Sequence, residues 1–351
     1  MEAEPVRRLV LGECIAQAVA VAVELGAIDE LAAGPRRAGA VAEAVGAHPD
    51  ALYRLLRLLS GVGIVEEREG RVFALTEPGR SLCRDEARAE CTVRGTALMM
   101  GAPWHRRAWS DLADCVRTGH SSFERLFGGF AYYRDDPEAG RVFHEAMEES
   151  LAAYVVPLLR GRDLTRFGTV VDVGGGRGAL LAAVLAGHPR GRGVLLDLPH
   201  VVAEARATLE RAGVADRCEL VGGDFFTAVP SGGDVYLLAD IVHDWDDEHA
   251  VRILRNCAAA MNPGGHVLLC EAVLPEARNR YTPAAVIDLE MLVMCEGGRQ
   301  RTAAELGELL GRAGLRLTGM RPGPLYSLLE AVPAAGADTD PYESGGPAGA
   351  C

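Results

Sequence analysis

Apolar positions recur at helical spacing through the first part of the chain. From Val10 to Leu31, the residues Leu11, Ile15, Ala18, Val19, Ala22, Val23 and Leu25 predict one helix, interrupted by few polar side chains. So apolar a helix must pack against something large. From Ala38 to Leu75 the pattern predicts a helix, a turn at Gly46 to Pro49, a second helix from Asp50 to Gly61, and a hairpin turning near Arg68 to Gly70. That order is a winged helix-turn-helix. Residues 92–160 read as a mostly helical connector, with Pro137 at a helix start and Val142, Phe143, Ala146 and Met147 on one stripe suited to roofing a pocket. After Thr169 the texture changes to short apolar runs separated by helix-like stretches: Val170 to Val173, Gly193 to Leu198, Cys218 to Val221, Val235 to Ala239 and His266 to Val273. Such alternation predicts an α/β fold, a Rossmann-like doubly wound and mostly parallel sheet. The expected organisation is a helical, winged-helix-like unit over 1–91, a connector over 92–160, the α/β unit over 161–332 and a disordered tail over 333–351.

Charge and composition narrow the partners. A net charge of −13 argues against a phosphate backbone, whose binding needs clustered basic groups. On the second helix of the winged unit, Tyr53, Arg54 and Arg57 lie opposite Leu52, Leu55, Leu56 and Leu59, as a DNA-reading face would. Glu43, Asp50, Glu66, Glu67 and Glu69 cancel that basic charge, so the unit reads as a packing and dimerisation element. No apolar run reaches the roughly 20 residues that span a bilayer, and residues 1–5 are acidic, unlike a secretory signal. A cytoplasmic location and no membrane contact are expected. Nine cysteines stand singly, with no CxxC pair and no histidine at metal-ligand spacing, so neither disulfides nor a metal site is expected.

The chemistry gathers at strand ends. The first α/β strand runs into Asp172-Val173-Gly174-Gly175-Gly176-Arg177-Gly178 and then a helix from Ala179 to Ala186. A glycine loop there lets the backbone approach a ligand, and Gly174, Gly176 and Ala179 also fit the dinucleotide fingerprint. An NAD-dependent oxidoreductase is thus a rival reading. The next strand ends at Asp197, placed to bond a ribose hydroxyl. The third leads into Gly222-Gly223-Asp224-Phe225, a carboxylate and an aromatic suited to an adenine, and the fourth into His243-Asp244-Trp245. Parallel strands put all these ends on one sheet edge, where a nucleoside cofactor and a base would meet.

Those motifs resemble the S-adenosylmethionine-dependent O-methyltransferases of plant phenolic metabolism and of bacterial aromatic natural-product tailoring, and the resemblance covers nearly the whole chain. VDVGGGRG is similar to the family's methionine-binding loop, LLDLP to its ribose-binding strand end, GGDFF to its adenine site and HDWDDEH to its catalytic stretch. The resemblance implies a homodimer, S-adenosyl-L-methionine as cofactor and a small, aromatic acceptor carrying a hydroxyl. It assigns Asp172, Gly174, Gly176, Asp197, Leu198, Asp224, Phe225 and Trp245 to the cofactor, and Phe143, Met147, Asp244 and Met291 to the acceptor. His243 is the expected base, with Glu271 in support. A sulfonium methyl is already activated, so the enzyme needs alignment and a proton acceptor and no metal. Two departures stand out. Ala239 replaces a lysine common in relatives, and Gln300 takes the place of a second glutamate beside the histidine. Glu271 alone would then carry the charge support, which makes His243 a somewhat weaker base. A cofactor-binding relative that hydroxylates or decarboxylates is the second expectation, ahead of the oxidoreductase and a DNA-binding regulator.

Overall fold

The computed structural model describes residues 4–84, 92–277 and 279–334. The expectation of a disordered tail lies outside these residues from 335 onward. Pro333, assigned to that tail, instead closes a strand. The predicted Val10 to Leu31 helix is two helices, Glu4–Glu24 and Ala27–Ala32. Gly26 divides them in a left-handed conformation, φ 81°, which turns the chain without breaking the apolar periodicity.

The winged unit forms from the helices Ala38–Ala44 and Pro49–Gly61 and from strands β1 (Arg36–Arg37), β2 (Val65–Arg68) and β3 (Val72–Leu75), in sheet order β1-β3-β2. Pro49 opens the second helix, where it gives up no needed amide, and Leu52, Leu56 and Leu59 bury one face of it. The basic side of this helix is folded onto its own unit. The Arg57 and Arg71 guanidinium groups stack over Tyr53, whose hydroxyl donates to Glu67.

The second sheet comprises β4 (Thr169–Val173), β5 (Arg192–Asp197), β6 (Cys218–Gly222), β7 (Gly233–Ala239), β8 (Met261–Glu271), β9 (Leu315–Pro322) and β10 (Ser327–Pro333). Their order is β6-β5-β4-β7-β8-β10-β9, with β4 through β8 mutually parallel. The antiparallel pair β9 and β10 had no counterpart in the sequence reading. β10 enters the sheet antiparallel to β8, and its Ser327 lies opposite Glu271. Apolar clusters cover both faces of the sheet. The connector is helical, and its longest helix, Pro137–Ser150, is capped by Asp136 and runs into a one-turn π-helical segment, Leu151–Val155. Another apolar cluster, rich in aromatic rings, joins the connector to the helix Pro283–Met294. This layer closes over the carboxyl ends of β4 and β7, where the strand order reverses and a crevice opens.

Candidate active site

A cavity of about 1050 Å³ fills that crevice. It is of the size that holds an extended small-molecule ligand. One end is built by β4, β5 and their loops. Gly174 sits at φ 71°, and a Cβ there would come within 2.5 Å of Ile241. Its neighbour Gly175, which the motif contains but the sequence reading did not single out, leaves room for the Asp172 carboxylate. A Cβ on Gly175 would lie 2.5 Å from that carboxyl carbon. Asp172 is 1% exposed, and its Oδ2 has no hydrogen-bond partner. Burial, then the Asp197 charge, pushes its carboxyl up to about 7. A cationic ligand would relieve both conditions.

Asp197, at the end of β5, accepts from the Gly176 amide at 2.8 Å and the Leu198 amide at 2.7 Å. Burial still raises its carboxyl above the ordinary value. Asp224 is exposed at the mouth and turns the chain by accepting from the Phe226 amide at 2.8 Å. Phe225, Phe226 and Trp245 pack edge to face, and the Trp245 ring N–H is buried without a partner. Glycines for close approach, carboxylates for hydroxyl and amine groups, and an aromatic shelf thus line one trough. Its chemistry fits a positively charged nucleoside.

The other end of the cavity is apolar and aromatic. Phe143 stacks on Tyr133 with centroids 4.2 Å apart, and Met147 and Met291 complete the wall. Two polar groups enter this wall that the sequence did not flag. Glu290 accepts from the Trp109 ring N–H at 2.6 Å and meets His105 at 2.8 Å, and the buried Tyr133 hydroxyl feels the charges of Glu290 and Asp244. The arginines on the cavity wall are paired already: Arg134 with Asp135, Arg141 with Glu138 and Glu145, Arg177 with Glu148. Burial, then Arg177, holds His144 down at about 4, so it is neutral near pH 7.

His243 lies between the two ends, on a short 3-10 turn after β7, and is 7% exposed. It reaches the cavity, whereas Glu271 and Gln300 stand behind it. Its Nδ1 is 2.8 Å from the Gln300 amide and 3.2 Å from Glu271 Oε2, and its Nε2 is 3.3 Å from Asp244 Oδ1. Glu271 is fixed by accepting from the Val242 amide at 2.8 Å. Arg301, to which the sequence reading gave no role, is 3% exposed and donates to the Val242 and Trp245 carbonyls, clamping the histidine turn from below. Asp246 caps the following helix, as its position in a first turn implies.

This geometry corrects one expectation. Glu271 is not the sole charge beside the histidine. Asp244, expected as an acceptor contact, stands against Nε2, and Asp240 comes within 3.7 Å of Nδ1. Burial pulls the imidazole down, but Glu271 and Asp244 outweigh it and hold His243 well above the usual histidine value. The neutral Gln300 therefore leaves the site strongly anionic.

Known proteins match this chain over most of its length. Residues 109–316 match the O-methyltransferase domain family, and residues 8–85 match the O-methyltransferase dimerisation domain. The chain is 41% identical over 326 residues to the mitomycin biosynthesis 6-O-methyltransferase of Streptomyces lavendulae, covering 91% of this chain and 90% of that protein. It is 36% identical over 314 residues to a phenazine-1-carboxylate N-methyltransferase of Pseudomonas aeruginosa, covering 88% and 90%. The crystal structure of an O-methyltransferase from neocarzinostatin biosynthesis, in complex with S-adenosylmethionine and 2-hydroxy-5-methyl naphthoic acid, superposes with a TM-score of 0.76 at 36% identity, covering 91% and 96%. A fold and sequence shared this extensively make the chain a member of the S-adenosylmethionine-dependent O-methyltransferase family.

Proposed function

We propose that this enzyme methylates a hydroxyl of a small, planar aromatic natural product, and that His243 takes the acceptor's proton. The observation that carries the reading is the continuity of the cavity, from the glycine trough past His243 to the wall of Phe143, Tyr133, Met147 and Met291. Bound S-adenosylmethionine supplies a sulfonium methyl, an activated electrophile. Gly174, Gly176 and Asp172 would hold its amino-acid end, Asp197 and Leu198 its ribose, and Asp224, Phe225 and Trp245 its adenine. The aromatic wall presses the acceptor ring flat and excludes water, which fixes its hydroxyl toward His243. Nε2 is the proton acceptor, since Nδ1 is turned to Glu271 and Gln300. Glu271 orients the ring and stabilises the imidazolium that forms. The Gln300 amide presents either its oxygen or its NH2 to Nδ1, so it follows the ring's protonation and does not set it.

The acidic acceptor end supports an uncharged or amine-bearing acceptor. Asp244 and Glu290 would repel an acceptor carboxylate, and the paired arginines on the wall offer it no cation. N-methylation is a second reading, supported by the N-methyltransferase among the relatives. The test is incubation with S-adenosylmethionine and matched phenols bearing an amide or a carboxylate, followed by mass spectrometry. Expected are S-adenosylhomocysteine, a product heavier by one methylene on oxygen, and preference for the amide. His243→Ala should lower turnover about a hundredfold while leaving cofactor affinity nearly intact. Added oxygen, lost carbon dioxide or undiminished turnover of the variant would refute the reading.

A further inference from the structure

Asp240 follows β7 directly and is the acid beside His243, its side chain 11% exposed, that neither the motifs nor the mechanism has used. Its backbone is left-handed, φ 54°, a conformation uncommon for a side-chain-bearing residue though tolerated by aspartate. Its amide donates to the Cys270 carbonyl at 3.1 Å, which pins the turn against the end of β8 next to Glu271. The turn sends the carboxylate inward. Oδ2 accepts from the Tyr326 hydroxyl at 2.8 Å, and that hydroxyl meets Ser150 Oγ at 3.0 Å, on the last residue before the π-helical turn. Oδ1 is buried, has no hydrogen-bond partner and lies 3.7 Å from His243 Nδ1. A turn-forming aspartate would direct its side chain to water or to its own amides. This one is held by a phenol from a distant strand so that its free oxygen faces the imidazole.

We infer that Asp240 is a positioning residue for the methyl transfer, the second carboxylate on the Nδ1 side of His243, carrying the negative charge that Gln300 lacks. The inference rests on the proposed role of His243 as base. At 3.7 Å Asp240 acts through its field and not through a hydrogen bond. The other groups facing the ring are Glu271 beside Nδ1, Asp244 beside Nε2, Cys295 and Tyr326, both kept neutral by burial, and Arg301 behind the turn. Burial pushes the Asp240 carboxyl up to about 7, against the pull of His243.

The experiment follows the His243 ring by NMR in protein labelled at histidine, loaded with S-adenosylhomocysteine and free of acceptor. It compares the native protein, D240N, Q300E and the double variant D240N/Q300E. The asparagine is nearly isosteric and still accepts from Tyr326, and thermal melting checks that each variant is folded. D240N should lower the His243 titration midpoint by about one pH unit, and Q300E in the D240N background should return it toward the native value. The acidic limb of kcat/KM should move the same way for any acceptor that is methylated. A midpoint unmoved by D240N, or a double variant that titrates like D240N alone, overturns the inference. Retained turnover in His243→Ala overturns the role of the base instead, and the NMR midpoints still decide whether Asp240 supports the ring.

Discussion

At the scale of single residues the site depends on charge placed around one imidazole. Glu271 and Asp244 outweigh burial at His243 and favour the protonated ring. A base must be neutral to work. A histidine whose folded-state pKa is raised loses its proton only as pH climbs through that raised value, so kcat/KM should rise with pH above the ordinary histidine range, about 6.5. Asp244→Asn removes a carboxylate at 3.3 Å and should shift this acidic limb to lower pH, by about one unit. A limb at or below about 6.5 in the native enzyme, or one that Asp244→Asn leaves in place, would show that these charges do not govern the base. Sequence reading singled out His243 and Glu271 because they follow or end strands within short motifs, and Gln300 because it stands in the stretch Gly298-Arg299-Gln300-Arg301 between two helices. It missed Tyr326, Glu290 and Arg301 because each acts across tens of residues in the chain, from elements whose relative placement no local pattern encodes, and it missed Asp240, only three positions from His243, because a left-handed turn and the distant Tyr326 hydroxyl are what bring its carboxylate to the ring.

At the scale of elements, the β4 strand and its glycine loop hold a buried carboxylate that costs stability. Asp172 is raised from 3.8 to about 7 by burial and Asp197. For such a group the favourable contribution is complete below about pH 4 and is lost as pH rises through about 7, because the unfolded chain ionises freely while the folded one resists. The three-unit rise corresponds to about 4 kcal/mol of destabilisation in the ligand-free protein above neutrality, as an upper bound. Asp172→Asn should therefore raise the Tm of the ligand-free enzyme at pH 8, with a gain on the order of 1–2 kcal/mol that shrinks toward pH 5. It should also weaken S-adenosylmethionine binding. Scanning calorimetry that finds the variant less stable at pH 8, or calorimetric titration that finds cofactor binding unchanged, would contradict this account. The motif made the loop recognisable, but the cost of its aspartate appears only when the sheet and the following helix close over it.

For the whole molecule, the first helix leaves a large apolar surface uncovered. Val6, Leu9 and Val10 on Glu4–Glu24 are 61%, 80% and 72% exposed. Patches of this kind on a soluble chain mark an interface, and the residues lie in or beside the segment that matches a dimerisation domain. We expect a homodimer whose subunits bury this helix. Analytical ultracentrifugation should find the native protein dimeric at micromolar concentration, and Leu9→Glu with Val10→Glu should yield a folded monomer with an unchanged circular dichroism spectrum. A native protein that sediments as a monomer would end this reading. Among the described residues no helix is long and apolar enough to cross a membrane.

The sequence by itself determined the class of fold and which strand ends share one edge of the sheet. Strand and helix periods, the glycine loop and acids at successive strand ends are local signals, and parallel topology brings strand ends together by rule. Tertiary structure decided the rest. The helix break at Gly26 preserves the apolar period, so no pattern announces it. The strands β9 and β10 follow a helical segment without a motif, and their place beside β8 depends on nonlocal pairing. The electrostatics of His243 were decided there too, because the distances from Nδ1 and Nε2 to Asp240, Asp244 and Glu271 are set by how β7, β8 and β10 pack. A charge two ångströms nearer or farther in a dry interior changes which proton the site holds.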